Sequence, residues 1–287
     1  DADTGEKVFR SHLYGRDPET GLEPQDQVRG LNMPGALPDV LSTDGESIFM
    51  RHKRFSMKGE EQDQDVPHLY SSVGFLDDAW WHRTYWIIGT STGSGFGGWR
   101  RPGNNVPSGR ILVKDGPDVY GFGRDRYIVH GTGGGRHAVM GGVHYKLFAT
   151  RMENGNHSER WSRRLPFWVR AMVLGTDGNL FIAGPPVGKY LATGKLDNPA
   201  IKPEEGDGHQ LGPWYGEYFL SLREPEEALK AYRGEMGGSL WAVSADSGEK
   251  LTSCSLDSQP VFDGMIAAEG RLYVCTQDGD ILCMGEE

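Results

Sequence analysis

The sequence predicts an all-β fold: a single β-propeller, which is a closed ring of about five four-stranded blades, over residues 1–287. Two observations predict it. A template of apolar strand, acidic-glycine turn and apolar strand recurs along the chain, and a nearly identical heptapeptide stands near each end. The 42 glycines and the scattered aromatic residues suit many short strands that are joined by tight turns.

The strand template predicts antiparallel hairpins. Each copy pairs two apolar stretches around an acidic residue and a glycine, and the glycine supplies the positive φ that a tight turn needs. A further hairpin is predicted for the aromatic-rich residues 75–90, and outer strands are predicted at residues 144–149 and 240–243. The four template copies lie at residues 39–50, 110–123, 170–184 and 263–276.

The repeated heptapeptide predicts how the ring closes. Residues 2–8 read Ala-Asp-Thr-Gly-Glu-Lys-Val, and residues 245–251 read Ala-Asp-Ser-Gly-Glu-Lys-Leu. The second copy follows an apolar strand, whereas the first has none before it. We therefore expect one blade to use strands from both termini, with residues 280–285 as its third strand and residues 6–13 as its fourth.

A long insertion is predicted at about residues 185–238, because the strand template is interrupted there. Inside it, residues 224–232 indicate a short helix, with Pro225 near its start and acidic residues in its first turn. Residues 91–109 form a second stretch without the template, which is rich in glycine, proline and arginine and is predicted to connect strands.

Composition excludes some functions. The formal net charge of −10 argues against a nucleic-acid partner, which would need a basic face. No apolar stretch is long enough to predict a transmembrane segment. The chain begins with Asp, which indicates a processed or cut chain. Of the three cysteines, Cys275 and Cys283 lie on consecutive predicted strands, where either a disulfide or free thiols, including that of Cys254, fit the sequence.

The heptapeptide carries a resemblance to a known family. Residues 1–9 include Asp1, Thr4 and Gly5, with Phe9 where the family has tryptophan, and the last hairpin reads as strand, Asp-Gly turn, strand. In these features the chain resembles the PQQ-like (quinoprotein alcohol dehydrogenase-like) β-propeller repeat proteins. The resemblance implies a propeller in an exported protein, located in the periplasm or outside the cell.

The family's enzymes hold pyrroloquinoline quinone against two adjacent cysteines, beside a calcium ion. This sequence has no adjacent cysteines and room for about five blades, so no PQQ is expected. Its nine histidines are compatible with a divalent metal, but their spacing predicts no metal ligands. No cofactor is therefore assigned.

Polar side chains on strands that otherwise look like core indicate where a ligand binds, because buried charges need partners. We expect them at the mouth of the central channel, where propellers usually bind their ligands. A sugar or uronate would stack on the tryptophans, and Arg83 or Arg170 would bind a carboxylate. The predicted ligand-binding residues are Asp39, Trp80, Trp81, Arg170 and Asp263, with Asp78, His82 and Arg83 as catalytic residues if the protein is an enzyme.

Two classes of function fit these residues. In the first, the protein is a binding or interaction module that takes a glycan or a partner protein at its central channel. In the second, it is a carbohydrate-active enzyme, either a lyase or a hydrolase, or a degenerate quinoprotein oxidoreductase. For an enzyme, His82 would be the acid/base, since its pKa lies nearest neutrality.

Overall fold

The chain forms two compact units in the computed structural model: unit 1 comprises Asp1–Ser108 and Gly131–Ala138, and unit 2 comprises Gly109–His130 and Val139–Glu287. Antiparallel strands dominate both units, so the all-β prediction is confirmed. The structure describes residues 1, 3–10, 19, 41–50, 53–62, 66–71, 86–89, 107–124, 128–132, 135–139, 145–154, 156–187, 190–194, 204–205, 218–222 and 224–285.

Unit 1 contains a four-stranded antiparallel sheet whose strands follow one another in sequence order. Its strands are β1 (Ser42–Thr43), β2 (Ser47–Met50), β3 (Lys53–Ser56) and β4 (Glu61–Gln62). A three-stranded sheet follows in the order β5 (His68–Ser71), β6 (Trp86–Gly89) and β7 (Ser108–Gly109). Of the hairpin predicted for residues 75–90, residues 75–85 lie outside the described residues, and β6 pairs with β5.

Unit 2 begins with a four-stranded sheet, called the first sheet below, in which each strand pairs with the one before it. Its strands are β8 (Ile111–Asp115), β9 (Asp118–Arg124), β12 (Tyr145–Glu153) and β13 (Asn156–Arg163). Between β9 and β12 in sequence, β10 (Ile128–Thr132) pairs with β11 (Gly135–Val139) as a separate hairpin.

The middle sheet of unit 2 is split by the predicted insertion. It consists of β14 (Ala171–Leu174), β15 (Asn179–Gly184), β19 (Gly238–Ser244) and β20 (Lys250–Leu256). The insertion contains a sheet of β16 (Tyr190–Gly194), β17 (Glu204–Glu205) and β18 (Tyr218–Leu222), and then helix α1 (Pro225–Arg233). The helix has Pro at its start, and Gly234 ends it with φ 86°. The predicted short helix is thus confirmed.

The last sheet of unit 2 has three strands among the described residues: β21 (Pro260–Ala268), β22 (Arg271–Thr276) and β23 (Ile281–Met284). The prediction that residues 280–285 form a third strand is confirmed. Residues 6–10 are not in a strand, and residues 11–13 lie outside the described part. The fourth strand stays a prediction.

The acidic-glycine turns form as the sequence predicts. All four template copies are antiparallel hairpins, namely β1–β2, β8–β9, β14–β15 and β21–β22. Gly45, Gly178 and Gly279 have φ of 89°, 79° and 93°, which is the left-handed region that glycine enters without strain.

The predicted outer strands are wrong in one respect. Residues 144–149 and 240–243 fall largely in β12 and β19, which are third strands, and β13 and β20 lie outside them. Trp161 is buried in β13 and Leu256 in β20, while most of their neighbours are polar and exposed. These two strands therefore carry too little apolar pattern to be recognised from sequence.

The middle sheet of unit 2 packs its two faces against two different sheets. Met172 lies in a core shared with the first sheet, which also contains Phe122 and Trp161. Its neighbour Ala171 lies in a core shared with the last sheet. Because successive side chains on a strand point to opposite faces, β14 contributes to both cores. Accordingly, β14 is a neighbour of both β8 and β21, which like β14 are the first strands of their sheets.

The two heptapeptides form the same turn. In the first, the Gly5 N–H donates to the Asp1 carbonyl at 3.0 Å, and in the second the Gly248 N–H donates to the Ser244 carbonyl at 2.8 Å. The two glycines have φ of 70° and 69°. A second bond of 2.9 Å joins the first and sixth residues of each turn. The sequence repeat is therefore a structural repeat of the β19–β20 connection.

All three cysteines are free thiols. In the pairing of β22 with β23, Cys275 lies opposite Ile281 and Cys283 lies opposite Tyr273. The two cysteines are therefore diagonal neighbours and not the directly opposed pair that the sequence allowed.

Within the part of the chain that the structure describes, no helix combines the length and the hydropathy that crossing a membrane requires.

Candidate functional site

Two of the predicted site residues, Arg170 and Asp263, belong to the described part of the chain. The structure brings them together at the same end of β14 and β21, since the Asp263 N–H donates to the Arg170 carbonyl at 2.7 Å. The predicted residues that lie outside the described residues are Asp39, Asp78, Trp80, Trp81, His82 and Arg83.

Arg110 joins this pair, although the sequence analysis did not select it. It precedes β8 as Arg170 precedes β14, and both make the same backbone bond to the second strand of their hairpin. The Arg110 N–H donates to the Phe122 carbonyl at 2.7 Å, and the Arg170 N–H donates to the Ala183 carbonyl at 2.8 Å. Both arginines are partly buried. They thus occupy equivalent places on neighbouring inner strands.

The electrostatics of Arg170 reflect this arrangement. Burial lowers the pKa of Arg170, the nearby Arg110 guanidinium lowers it further, and Tyr232 opposes the change. Arginine still remains charged at neutral pH. The site therefore holds two like charges close together, and neither has a carboxylate partner among the described residues.

Two aromatic side chains flank the arginines. The Phe262 ring centroid lies 5.8 Å from the Arg110 guanidinium carbon, which is a cation–π geometry. Tyr232 lies in the last turn of α1 and is 80% exposed, while Phe262 is 40% exposed. Such large exposed rings beside charges are typical of ligand sites.

The position of Tyr232 is fixed by a buried polar contact. Gln259, which is fully buried, donates its Nε2–H to the Tyr232 carbonyl at 3.2 Å and also contacts the Gln277 Oε1. A β-carbon at Gly234 would lie 2.7 Å from both amide groups. The C-terminal end of α1 therefore packs closely against two turns, the one that precedes β21 and the one that follows β22.

A bulge in β21 presents Asp263. The register of β21 with β22 shifts between Pro260 and Met265, and Asp263 has φ 57° inside that bulge. Asp tolerates this left-handed conformation better than most residues. The following Gly264 allows the sharp bend, since a β-carbon there would lie 2.3 Å from the Val261 side chain. A non-glycine residue keeps this left-handed backbone conformation only where the surrounding structure requires it.

Burial raises the pKa of Asp263, and no ion pair of its carboxyl group offsets this within the described residues. Such a carboxyl group can accept hydrogen bonds from hydroxyl groups when it is ionised and can donate one when it is protonated. Asp263 thus adds a hydroxyl-binding group on the residue whose backbone N–H bonds to the Arg170 carbonyl.

Replacing Asp263 by Asn is expected to raise the melting temperature at pH 7. The pKa of Asp263 is higher in the folded chain than in the unfolded chain, so stability falls as the pH rises through the interval between them. The advantage of Asn should vanish below about pH 3.9, the ordinary pKa of Asp. Thermal unfolding between pH 3 and pH 8 measures it, with Asp257→Asn, in the turn before β21, as control. Equal effects of the two substitutions would contradict the prediction.

An apolar cleft of unit 2 lies elsewhere. This cavity of about 600 Å³ opens between the middle and last sheets, at the end of β14 and β21 that carries the hairpin turns. Leu174, Phe181, Leu272 and Met284 give it mainly apolar walls. It lies at the opposite end of β14 and β21 from Arg170 and Asp263, so we place the candidate site at the arginines.

The described residues contain no group of three or more His, Cys, Asp or Glu side chains that is arranged to hold a metal ion. No protein-family model matches this sequence, and a search of the curated proteins found no match.

Proposed function

We propose that the chain is a PQQ-like β-propeller of about five four-stranded blades. The support is the strand order of its sheets, in which the first strand of each hairpin template is an edge strand, and the packing of the middle sheet of unit 2 against two others. The ring would close when residues 6–13 pair with β23. The matching turns at Gly5 and Gly248 support this, as do the exposed Val8 and Phe9.

Deletion of residues 1–12 tests the closure. Without them β23 would stay an unpaired edge, and we expect a clearly lower melting temperature and a greater tendency to aggregate. A chain whose residues 6–12 are scrambled, with unchanged composition, serves as the control for chain length and should resemble the deletion. An unchanged melting temperature in both would refute the closing strand.

We propose that the protein works as an exported binding module, periplasmic or extracellular, that takes a glycan at the inner-strand ends of unit 2. One observation carries this proposal: Arg110 and Arg170 precede the neighbouring strands β8 and β14 at equivalent places without a described carboxylate partner, and the exposed Phe262 ring lies 5.8 Å from the Arg110 guanidinium carbon. Guanidinium groups bind oxygen-rich ligands through several hydrogen bonds, and aromatic faces stack on the C–H surfaces of sugars.

A partner protein is the alternative ligand for the same module. The small size of the arrangement favours the glycan, because two arginines and two rings suit one or two sugar residues. Large protein interfaces instead bury about 800 Å² on each partner.

An enzymatic function is favoured by one feature, the raised pKa of Asp263. A carboxyl group with a raised pKa is suited to general acid catalysis, as a lyase or hydrolase would require. Hydrolysis commonly needs a second carboxylate across the bond. Asp78, which the sequence predicts as catalytic together with His82 and Arg83 if the protein is an enzyme, lies outside the described residues. Shortening of acidic polysaccharides by the wild type, and its loss in Asp263→Ala, would support this second candidate over the binding module.

A glycan array tests the binding function. The wild type should retain a defined set of glycans, and Tyr232→Ala should weaken their binding about tenfold, or 1.4 kcal/mol, through the lost stacking surface. Alanine favours helix at this exposed position, so the fold should persist. Leu229→Ala, on the same helix and 45% exposed, is the matched control. An array without any retained glycan would refute glycan binding.

A further inference from the structure

The arginine pair differs from two arginines of the first sheet, Arg151 and Arg160. Arg151 bonds to Asp118 at 2.8 Å, and Arg160 lies 3.2 Å from Asp118 and 3.1 Å from Asp246. These side chains have acidic partners within the chain. Arg110 and Arg170, by contrast, are partly buried, precede the neighbouring strands β8 and β14 at equivalent places, and have no ion-pair partner among the described residues. In a protein of formal net charge −10, a local excess of positive charge is a selective place for an anion.

The neighbours of the pair restrict the kind of anion. A small inorganic anion such as phosphate needs donors, and the exposed rings of Phe262 and Tyr232 would offer it nothing. A sugar acid uses all of these groups: its carboxylate pairs with guanidinium groups, its C–H faces lie against the rings, and its hydroxyl groups donate to the Asp263 carboxylate.

We propose that the ligand of this site is an acidic sugar, a hexuronate, whose carboxylate is bound between Arg110 and Arg170. The hydroxyl groups of the sugar hydrogen-bond to Asp263, and its ring packs against Phe262 or Tyr232. This assignment rests on the proposed glycan-binding function and names the class of glycan.

The test compares a galacturonate trisaccharide with its fully methyl-esterified form by isothermal titration calorimetry. The two probes have the same sugar rings and hydroxyl groups, and they differ in the charge of their carboxyl groups. This comparison therefore needs the wild-type protein alone. The wild type should bind the acid about 10- to 100-fold more tightly than the ester, as expected for charge-assisted hydrogen bonds. The preference should shrink as the salt concentration rises.

Variants locate the carboxylate. Arg110→Gln and Arg170→Gln should each remove most of the preference for the acid and leave the affinity for the ester nearly unchanged, which is the coupling that a double-mutant cycle detects. Arg271→Gln, which changes the charge equally at the far end of β22, should retain the preference. Both site variants should fold, since each relieves repulsion between like charges; their melting curves check this.

The outcomes separate the two proposals. Equal affinity for acid and ester overturns the hexuronate assignment and leaves the glycan-binding function in place. No binding of either probe, together with an array that retains no glycan, overturns both. Inorganic phosphate that competes as strongly as the trisaccharide overturns the assignment to a sugar. A preference for the acid that is lost in Arg110→Gln and Arg170→Gln and kept in Arg271→Gln supports it.

Discussion

Replacement of Gly184 by Ala is expected to destabilise unit 2 by about 3 kcal/mol or more. A β-carbon at this position would lie 1.5 Å from the Trp168 carbonyl oxygen and 2.6 Å from its carbon. These are backbone atoms. They are fixed on both sides, because the Trp168 N–H donates to the Pro185 carbonyl and the Arg170 N–H donates to the Ala183 carbonyl, each at 2.8 Å. The clash therefore cannot be relieved by rotating a side chain.

Urea unfolding of Gly184→Ala measures this loss, with Gly178→Ala as the matched control. Gly178 has φ 79°, and a β-carbon there would meet nothing within 4 Å, so its substitution introduces left-handed strain of about 1–2 kcal/mol alone. If the two variants unfold at the same urea concentration, the close contact at Trp168 is wrong. Because Arg170 lies two residues from Trp168, any Gly184→Ala protein that still folds should also bind the galacturonate probe more weakly.

The hairpins of this protein were predictable because their signal is local. An acidic residue followed by glycine determines a tight turn within four residues, and the apolar stretches on either side determine the strands. The same holds for α1, whose Pro225 and acidic first turn mark its start. The turn at Gly5 and Gly248 was recognisable because its hydrogen bonds lie within six residues.

The outer strands and the close contact at Gly184 were not predictable from local pattern. β13 and β20 are sheet edges whose side chains are mostly exposed, so alternation of apolar and polar residues is weak there. Gly184 follows a buried strand and reads in sequence as an ordinary strand end. Its need for glycine arises from residues 167–170, which cross it only in the folded chain.

The candidate site shows the same division. Arg110 and Arg170 are each the first residue of a hairpin template, so their equivalent positions could be recognised in the sequence. The packing of these two hairpins against each other could not, because it depends on how the sheets stack. The left-handed bulge at Asp263 and the insertion that brings Tyr232 alongside are also tertiary features. The sequence therefore indicated Arg170 and Asp263. The other three side chains of the candidate site became visible only in the folded chain; they are Arg110, Tyr232 and Phe262.

Trp161 is the second position where a large effect is expected, because it joins two sheets at their outer edge. It is 7% exposed in β13 of the first sheet, and its indole N–H donates to the buried Ala245 carbonyl of the middle sheet at 2.9 Å. Its ring also lies directly on the repeated turn, since a β-carbon at Gly248 would meet ring atoms at 2.5–2.9 Å. Substitution therefore removes both a buried aromatic surface and a hydrogen bond.

We expect Trp161→Ala to lower the free energy of unfolding by about 3–5 kcal/mol, the usual loss for a large buried aromatic residue. Trp161→Phe should lose about 1–3 kcal/mol, because a ring remains while the Ala245 carbonyl is left without its donor. The two copies of the heptapeptide provide an internal check. Gly248→Ala should destabilise more than Gly5→Ala, since the two turns share their φ but only Gly248 faces a ring. Urea unfolding of the four variants measures these differences. A loss of less than 1 kcal/mol in Trp161→Ala, or equal stability of the two glycine variants, would contradict this role of Trp161. The β19–β20 turn would then be stable without its contact with the first sheet.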